Sequence, residues 1–182
     1  MRIRLFTLSL LAFVSVGALA QLGPTDADFK YATDLLKPGT SVPDFKLKDI
    51  KGRTQRLSKM VKDSYTVIDF WASWCPDCRK DIPNVKRMYE KFAPLGVRFV
   101  GVSFDNEVDK WKAAVENYAL SYPQVSDLKR MRDSEVAKAF GVKWIPSMVV
   151  VGPDGEVKLS TVLTYKVDKY LKELTTGKFT GV

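Results

Sequence analysis

Histidine is missing from this sequence and cysteine is scarce, since the 182 residues include 0 His and 2 Cys. Without histidine the chain can form neither a Ser-His nor a Cys-His catalytic pair, and it offers no imidazole to a metal. Two cysteines are too few for a disulfide-rich mini-scaffold or for a zinc site with four ligands. We therefore expect no bound metal, and any cysteine chemistry must come from this single pair.

Long apolar runs are also missing, except at the start of the chain. Arg2 and Arg4 precede the apolar run 5–16, and small residues follow it up to Ala20. This pattern predicts a secretory signal peptide over 1–20, cleaved after Ala20. An uncleaved membrane anchor is the less favoured alternative, because the run is shorter than the ~20 residues that span a bilayer. We expect an exported protein, located in the periplasm.

Basic residues exceed acidic ones, 29 to 21, and the formal net charge is +8. The lysines and arginines are scattered rather than clustered, which is typical of a solvated surface. Because an exported protein does not meet nucleic acid, we expect no nucleic-acid partner. The content of 46% hydrophobic and 27% charged residues is that of a folded globular chain rather than a disordered one.

Hydrophobic periodicity predicts an α/β domain over 42–182, preceded by an N-terminal extension over 21–41. The predicted elements are a β-hairpin over 45–57, a buried strand over 65–72, a helix over 76–92 kinked at Pro83, a buried strand over 97–104, a helix over 106–118, a helix over 134–140 closed by Gly141, strands over 147–151 and 156–163, and a last helix over 167–174. This order predicts a central mixed sheet with helices on both faces.

Both cysteines lie in the segment 74–78 (WCPDC), where a predicted strand ends and a helix begins. Proline is favoured at the first helical position, which places Cys75 near the N-cap. Unpaired N–H groups and the helix dipole stabilise a thiolate there, whereas Cys78 lies one turn deeper. The pattern predicts that Cys75 attacks and Cys78 resolves, although a purely structural disulfide remains an alternative. Such a two-residue loop would add little stability, and haem attachment would require a histidine where Arg79 stands.

The segment 67–78 (VIDFWASWCPDC) resembles the active-site segment of the thioredoxin superfamily. Pro83 occupies the place where that family kinks its helix, and the segment 144–147 (WIPS) resembles its cis-proline loop. The likeness covers roughly 42–174. With its leader, its N-terminal hairpin extension and an insertion over 105–131 after the second central strand, the chain is most similar to the exported, cytochrome c maturation-like (TlpA/ResA-like) branch.

This resemblance implies a thioredoxin-like fold and an enzyme that reduces disulfides in exported proteins, with apocytochrome c as one candidate substrate. The redox-active pair would serve in place of a cofactor. Electrons would come from a membrane thiol reductase, and the protein would contact the membrane only through that partner. The implied substrate-binding residues are Trp74, Pro76, Asp77, Ile145 and Pro146, with Pro146 in the cis form and the backbone of Ile145 pairing with an extended peptide.

Two carboxylates are candidates for proton transfer beside the cysteines. Asp69 interrupts an apolar strand, and a buried carboxylate with a raised pKa can take the proton of Cys78. Asp81 follows Cys78 by three residues and so lies on the same helical face, where the resembling branch carries an acid. The ordinary alternatives are an aspartate tolerated near a strand end and a solvated helix residue. Asp77 departs from most relatives, and its charge opposes a thiolate nearby.

Three other functions fit parts of this pattern less well. A peroxide-reducing enzyme of the same fold carries threonine three residues before its reactive cysteine, and Ala72 stands there. A copper carrier of related fold needs a histidine. A non-enzymatic binding or chaperone module remains an alternative, which replacement of both cysteines would test.

Overall fold

The computed structural model describes residues 26–177, so the predicted signal peptide over 1–20 lies outside the described residues. The strands are β1 (Lys46–Asp49), β2 (Thr54–Arg56), β3 (Thr66–Trp71), β4 (Arg98–Ser103), β5 (Gln124–Ser126), β6 (Ser147–Val151) and β7 (Val157–Thr161). The α-helices are α1 (Asp28–Tyr31), α2 (Leu57–Met60), α3 (Pro76–Phe92), α4 (Val108–Asn117), α5 (Glu135–Phe140) and α6 (Thr164–Thr175), and short 3-10 helices cover Ala93–Leu95 and Met131–Asp133.

The seven strands form one mixed sheet in the order β2-β1-β5-β4-β3-β6-β7. Strand β3 is parallel to β4 and antiparallel to β6, and β4 is parallel to β5. The hairpin β1-β2 joins the sheet because β1 pairs antiparallel with β5. This open mixed sheet flanked by helices confirms the predicted thioredoxin-like α/β architecture.

Helices cover both faces of the central strands, which explains why these strands are almost continuously apolar. Adjacent side chains of a strand point to opposite faces. On one face, Phe99 of β4 packs against Tyr89 of α3 with ring centroids 5.6 Å apart. On the other, Phe70 of β3 packs against Phe140 of α5 at 5.2 Å. All six residues of β3 are buried, so this strand lies at the centre of the core.

The segment 105–131 differs most from the prediction. The sequence predicts an insertion there with a helix over 106–118, and the structure confirms this helix as α4. The strand β5 is not predicted, and it lies inside the sheet between β1 and β4. The three residues of β5 form no apolar run and therefore carry no clear strand signal. The strands with which β5 pairs are also distant in sequence. The insertion is therefore an integral part of the sheet rather than an addition to it.

The segment before residue 42 is packed onto the domain. The Asp28 carboxylate accepts hydrogen bonds at 2.8 Å from the Thr161 hydroxyl and the Val162 backbone N–H, and Lys166 donates to it at 2.6 Å. The Tyr31 ring stacks on Trp144 with centroids 4.1 Å apart. These contacts place α1 beside the start of α6. No helix within residues 26–177 has both the length and the apolarity needed to cross a membrane.

Candidate active site

The two cysteines form a disulfide at the start of α3. Cys75 is the N-cap residue and Pro76 the first helical residue, as the sequence predicts. The Cys75 sulfur accepts a hydrogen bond from the Cys78 backbone N–H at 3.1 Å. The exposed fractions of Cys75 and Cys78 are 4% and 2%. The free N–H groups of the first turn therefore face the Cys75 sulfur, where they favour negative charge.

The loop before β6 closes over the Cys75 sulfur. The peptide bond between Ile145 and Pro146 is cis. The Ile145 carbonyl oxygen lies 3.5 Å from the Cys75 sulfur. The Ser147 hydroxyl donates to the Trp144 carbonyl at 2.6 Å and so holds the loop in this shape. The structure thus brings together Cys75, Ile145 and Pro146, three of the residues singled out by sequence.

Asp69 lies on the sheet face that α3 covers, with an exposed fraction of 3%. The Tyr122 hydroxyl donates to its Oδ2 at 2.9 Å. Its Oδ1 has no hydrogen-bond partner among residues 26–177. Burial raises the pKa of Asp69 to about 7, and the charge of Asp81 adds to this, while the hydrogen bond from Tyr122 opposes it. The sequence predicted the raised pKa but not the partner Tyr122.

Asp81 is half-buried on the same face of α3, one turn after Cys78. The Asn84 side-chain amide donates to its Oδ1 at 2.8 Å, and the Thr164 hydroxyl donates to its Oδ2. These contacts tie the carboxylate to the start of α6. Asp81 therefore acts on Asp69 through its charge while its own oxygens are engaged elsewhere.

The other residues predicted to meet substrate lie at the surface. Trp74 has an exposed fraction of 50%, and Pro76 and Asp77 are exposed beside it. The Asp77 carboxylate is 3.7 Å from the Lys80 ammonium group. The buried Asp105 side chain, which sequence reasoning missed, accepts hydrogen bonds from the Ser73 backbone N–H at 3.0 Å and from the Ser73 hydroxyl at 2.6 Å.

An open groove of about 640 Å³ runs beside the cysteine segment. Its walls come from α1, the start of α3, the proline loop and the start of α6. Aromatic rings and acidic groups line it together, notably Tyr31, Asp77, Asp81, Trp144, Pro146 and Tyr165. Sequence reasoning missed Tyr31 and Tyr165, because isolated aromatics in separate elements give no local signal, and it included Trp144 only as part of the proline-loop segment 144–147. In the described part of the chain, no cluster of three or more His, Cys, Asp or Glu side chains could hold a metal.

Known proteins that are similar in sequence carry names that describe thiol-disulfide chemistry. Residues 38–160 match the sequence profile of the AhpC/TSA family. The chain is 29% identical over 141 residues to the thiol-disulfide oxidoreductase ResA of Geobacillus thermodenitrificans, covering 77% of this chain and 78% of that protein. It is 28% identical over 153 residues to ResA of Bacillus subtilis, covering 80% of each.

Solved structures of similar fold carry related names. A thiol-disulfide oxidoreductase from Bacteroides fragilis aligns with a TM-score of 0.69 and 27% identity, over 74% of this chain and 99% of that one. A thiol:disulfide interchange protein from a Bacteroides species aligns with a TM-score of 0.67 and 26% identity, over 79% and 96%. The sequence and the fold therefore agree on cysteine-pair chemistry.

Proposed function

The chain belongs to the AhpC/TSA family and is a thiol-disulfide oxidoreductase, and from this premise we propose that it reduces disulfide bonds in exported proteins through Cys75 and Cys78. The observation that carries the proposal is the disulfide at the start of α3, with the Ile145 carbonyl 3.5 Å from the Cys75 sulfur. A redox pair at a helix start beside a backbone acceptor suits attack on an extended peptide.

The proposed reaction moves two electrons from the cysteine pair to the substrate. The Cys75 thiolate attacks one sulfur of the substrate disulfide, and the other substrate cysteine leaves as a thiolate. Cys78 then loses its proton and attacks the Cys75 sulfur of the mixed disulfide. The second substrate thiolate leaves, and the Cys75–Cys78 disulfide forms.

Asp69 is the proposed acceptor of the Cys78 proton. It lies under α3, and its pKa of about 7 lets the carboxylate take and return a proton near neutral pH. Asp81 acts through its charge, since it raises the pKa of Asp69. The sequence predicts both acids as candidates for proton transfer, and these contacts favour Asp69 as the proton acceptor and Asp81 as a charge that tunes it.

The groove of about 640 Å³ is the proposed binding surface for the substrate peptide. The peptide backbone would pair with Ile145. Asp77 and Pro146 line the groove, and Trp74 and Pro76 are exposed next to Asp77. Exported proteins with a reducible disulfide, apocytochrome c among them, are the proposed substrates. The predicted leader over 1–20 supports a periplasmic location, where a membrane thiol reductase is the proposed electron donor.

The direction of electron flow follows from charge near the sulfur. Asp77, together with Asp69 and Asp81 where they are ionised, destabilises a Cys75 thiolate, and a less stable thiolate disfavours the reduced form. This lowers the reduction potential and suits a reductase. We expect the potential to lie below that of protein disulfide isomerase, about −180 mV.

Thiol trapping in intact cells, joined to a measured potential, tests the proposal. Cells are treated with a maleimide reagent before lysis, and the purified protein is equilibrated with glutathione buffers. We expect a reduced pair in cells, a low potential and loss of disulfide reduction in Cys75→Ser. A fully oxidised pair with a potential well above −180 mV would instead identify an oxidant or isomerase. Consumption of hydrogen peroxide by the purified protein would identify a peroxidase.

A further inference from the structure

Tyr122 lies in the segment 105–131, two residues before β5 begins. Its ring contacts Tyr89 of α3 and Phe99 of β4, with centroids 5.5 and 6.2 Å away. Its exposed fraction is 3%. A ring packed on two sides by aromatic neighbours keeps its hydroxyl in one place. The hydroxyl therefore occupies a fixed position over the sheet.

That position is next to Asp69, although Asp69 belongs to β3 and the strand β4 lies between β3 and β5. Gly101 of β4 is the register partner of both Asp69 and Gln124. A Cβ atom at Gly101 would come within 2.1 Å of the Gln124 side-chain oxygen. The missing side chain at Gly101 therefore leaves room for the Gln124 side chain of β5 to cross β4, where its oxygen accepts a hydrogen bond from the Trp71 indole of β3 at 2.9 Å.

The hydrogen bond from Tyr122 to Asp69 measures 2.9 Å and is the one donor that the structure gives this carboxylate, whose Oδ1 is unpartnered within the described ranges. The ionisable groups that act on Asp69 through a hydrogen bond or a charge are Tyr122 and Asp81, and the buried Cys78 lies one turn before Asp81 on α3. The strands on either side present Gly101 and Met148 as its register partners, and neither is titratable. Tyr122 is thus the neighbour that favours the ionised form of Asp69.

We propose that Tyr122 is a positioning residue whose hydroxyl holds the Asp69 carboxylate and thereby sets the pH at which Cys78 resolves the mixed disulfide. This rests on the proposed function, because it assigns Asp69 the proton of Cys78. Tyr122 remains a donor throughout, since burial and the nearby Asp69 charge raise its own pKa well above the usual range. The segment 105–131 therefore supplies a residue that tunes the cysteine pair.

The variant Tyr122→Phe keeps the ring and removes the hydroxyl. Without its donor, the Asp69 carboxylate is less stable as an anion, so the pKa of Asp69 rises further. A hydrogen bond to a charged group accounts for a shift of about one pH unit or more. We expect the pH midpoint for resolution to move upward by that amount, with several-fold slower resolution at pH 7 and recovery at higher pH.

Two measurements test this in the full-length mature protein. Stopped-flow kinetics follow release of a small aromatic thiol from a mixed disulfide at Cys75 between pH 5 and 10. Carbon-13 NMR follows the Asp69 carboxyl in the oxidised protein over the same range. The matched control is Tyr89→Phe, which removes a hydroxyl from the same aromatic cluster and should leave both midpoints in place.

The variant Tyr122→Phe is also made in an Asp69→Asn background, where it should no longer move the kinetic midpoint. The proposal is overturned if the Asp69 midpoint stays unchanged in Tyr122→Phe, if Tyr89→Phe moves it equally, or if the kinetic effect persists without Asp69. A protein that reduces no disulfide at any pH would overturn the proposed function instead. The NMR titration does not depend on activity, so the two failures are distinguishable.

Discussion

At the scale of single residues, the two cysteines have different surroundings. The Cys75 sulfur lies at the N-terminal end of α3. It is next to the Ile145 carbonyl oxygen and accepts a hydrogen bond from the Cys78 backbone N–H. Cys78 lies inside the first turn, on the buried face of the helix. Both cysteines are buried, with exposed fractions of 4% and 2%, so the different roles proposed for them rest on the N-cap position of Cys75 and on its contact with the proline loop.

The first prediction is that Cys75 forms the mixed disulfide. The variant Cys78→Ser leaves the attacking thiol and removes the resolving one, so it should accumulate a covalent complex with a disulfide substrate on a non-reducing gel. The matched variant Cys75→Ser should accumulate none. A complex with Cys75→Ser but not with Cys78→Ser would reverse the assignment.

The second prediction concerns Asp69 and the pH dependence of stability. Its pKa is about 7 in the folded protein and near the ordinary value of 3.8 when unfolded. Between these values the folded state binds more protons, so the free energy of unfolding falls as pH rises from about 4 to about 7. Above that range the ionised buried carboxylate lowers stability by up to about 4 kcal/mol.

The variant Asp69→Asn removes this penalty. In the oxidised state, its unfolding midpoint should lie at a higher denaturant concentration than that of the parent at pH 8. The difference between the two midpoints should be smaller at pH 4.5. Disulfide exchange near neutral pH should become slower, because Cys78 loses its proton acceptor. A stability gap that does not depend on pH, or exchange rates that match the parent at every pH, would rule out this role for the buried acid.

At the scale of secondary-structure elements, the glycine that ends α5 also allows another segment of the chain to pack closely against the helix end. Gly141 has a φ of +67°, which is the left-handed conformation that ends a helix. A Cβ atom there would lie 1.8 Å from the Asp34 carbonyl oxygen. Glycine is therefore required for two reasons, and the second involves a segment more than one hundred residues earlier in the chain.

The third prediction separates these two reasons. Gly155 has a similar φ of +78° but open space where a Cβ atom would lie, so Gly155→Ala reports only the conformational cost. We expect that substitution to lower the free energy of unfolding by about 1 kcal/mol. The variant Gly141→Ala should lower it by roughly 2 kcal/mol more, because backbone must move. Equal costs in urea unfolding would show that the close approach to Asp34 is unimportant.

At the scale of the whole molecule, redox state and folding are linked. The reduction potential of the cysteine pair differs between the folded protein and the unfolded chain. Converted to a free energy, this difference equals the difference in folding stability between the oxidised and the reduced protein. A strong oxidant is one whose reduced form is stabilised, and a reductase is the opposite case. The proposed direction of electron flow therefore has a consequence for stability.

The fourth prediction is that the disulfide stabilises the fold. The oxidised protein should exceed the reduced protein by about 1 to 2 kcal/mol in its free energy of unfolding, a small difference because the closed loop is short. The measurement is urea unfolding with and without a phosphine reductant. A variant with both cysteines replaced by serine serves as control, since its midpoint should not respond to the reductant. A reduced protein that is the more stable form would contradict a reducing role.

Sequence reasoning succeeded where the signal is local. The strand over 66–71, the helix over 76–92 and the redox motif between them each follow from neighbouring residues, as does the Gly141 stop. It failed for β5, whose three residues pair with strands distant in the chain. The observed bounds of two elements also differ from the predicted ones. Helix α6 begins at Thr164 rather than at 167, and β7 ends at Thr161 rather than at 163.

The sequence by itself determined the redox pair, the helix start that holds it and the buried acid beneath it. Each of these features depends only on the spacing and the apolar character of neighbouring residues. Only the tertiary structure decided which groups surround them. The Tyr122 hydroxyl donates to Asp69, and Tyr31 stacks on Trp144 at the groove. These partners are 53 and 113 residues apart in the chain. Contacts of that range depend on strand order and register, which no local pattern specifies.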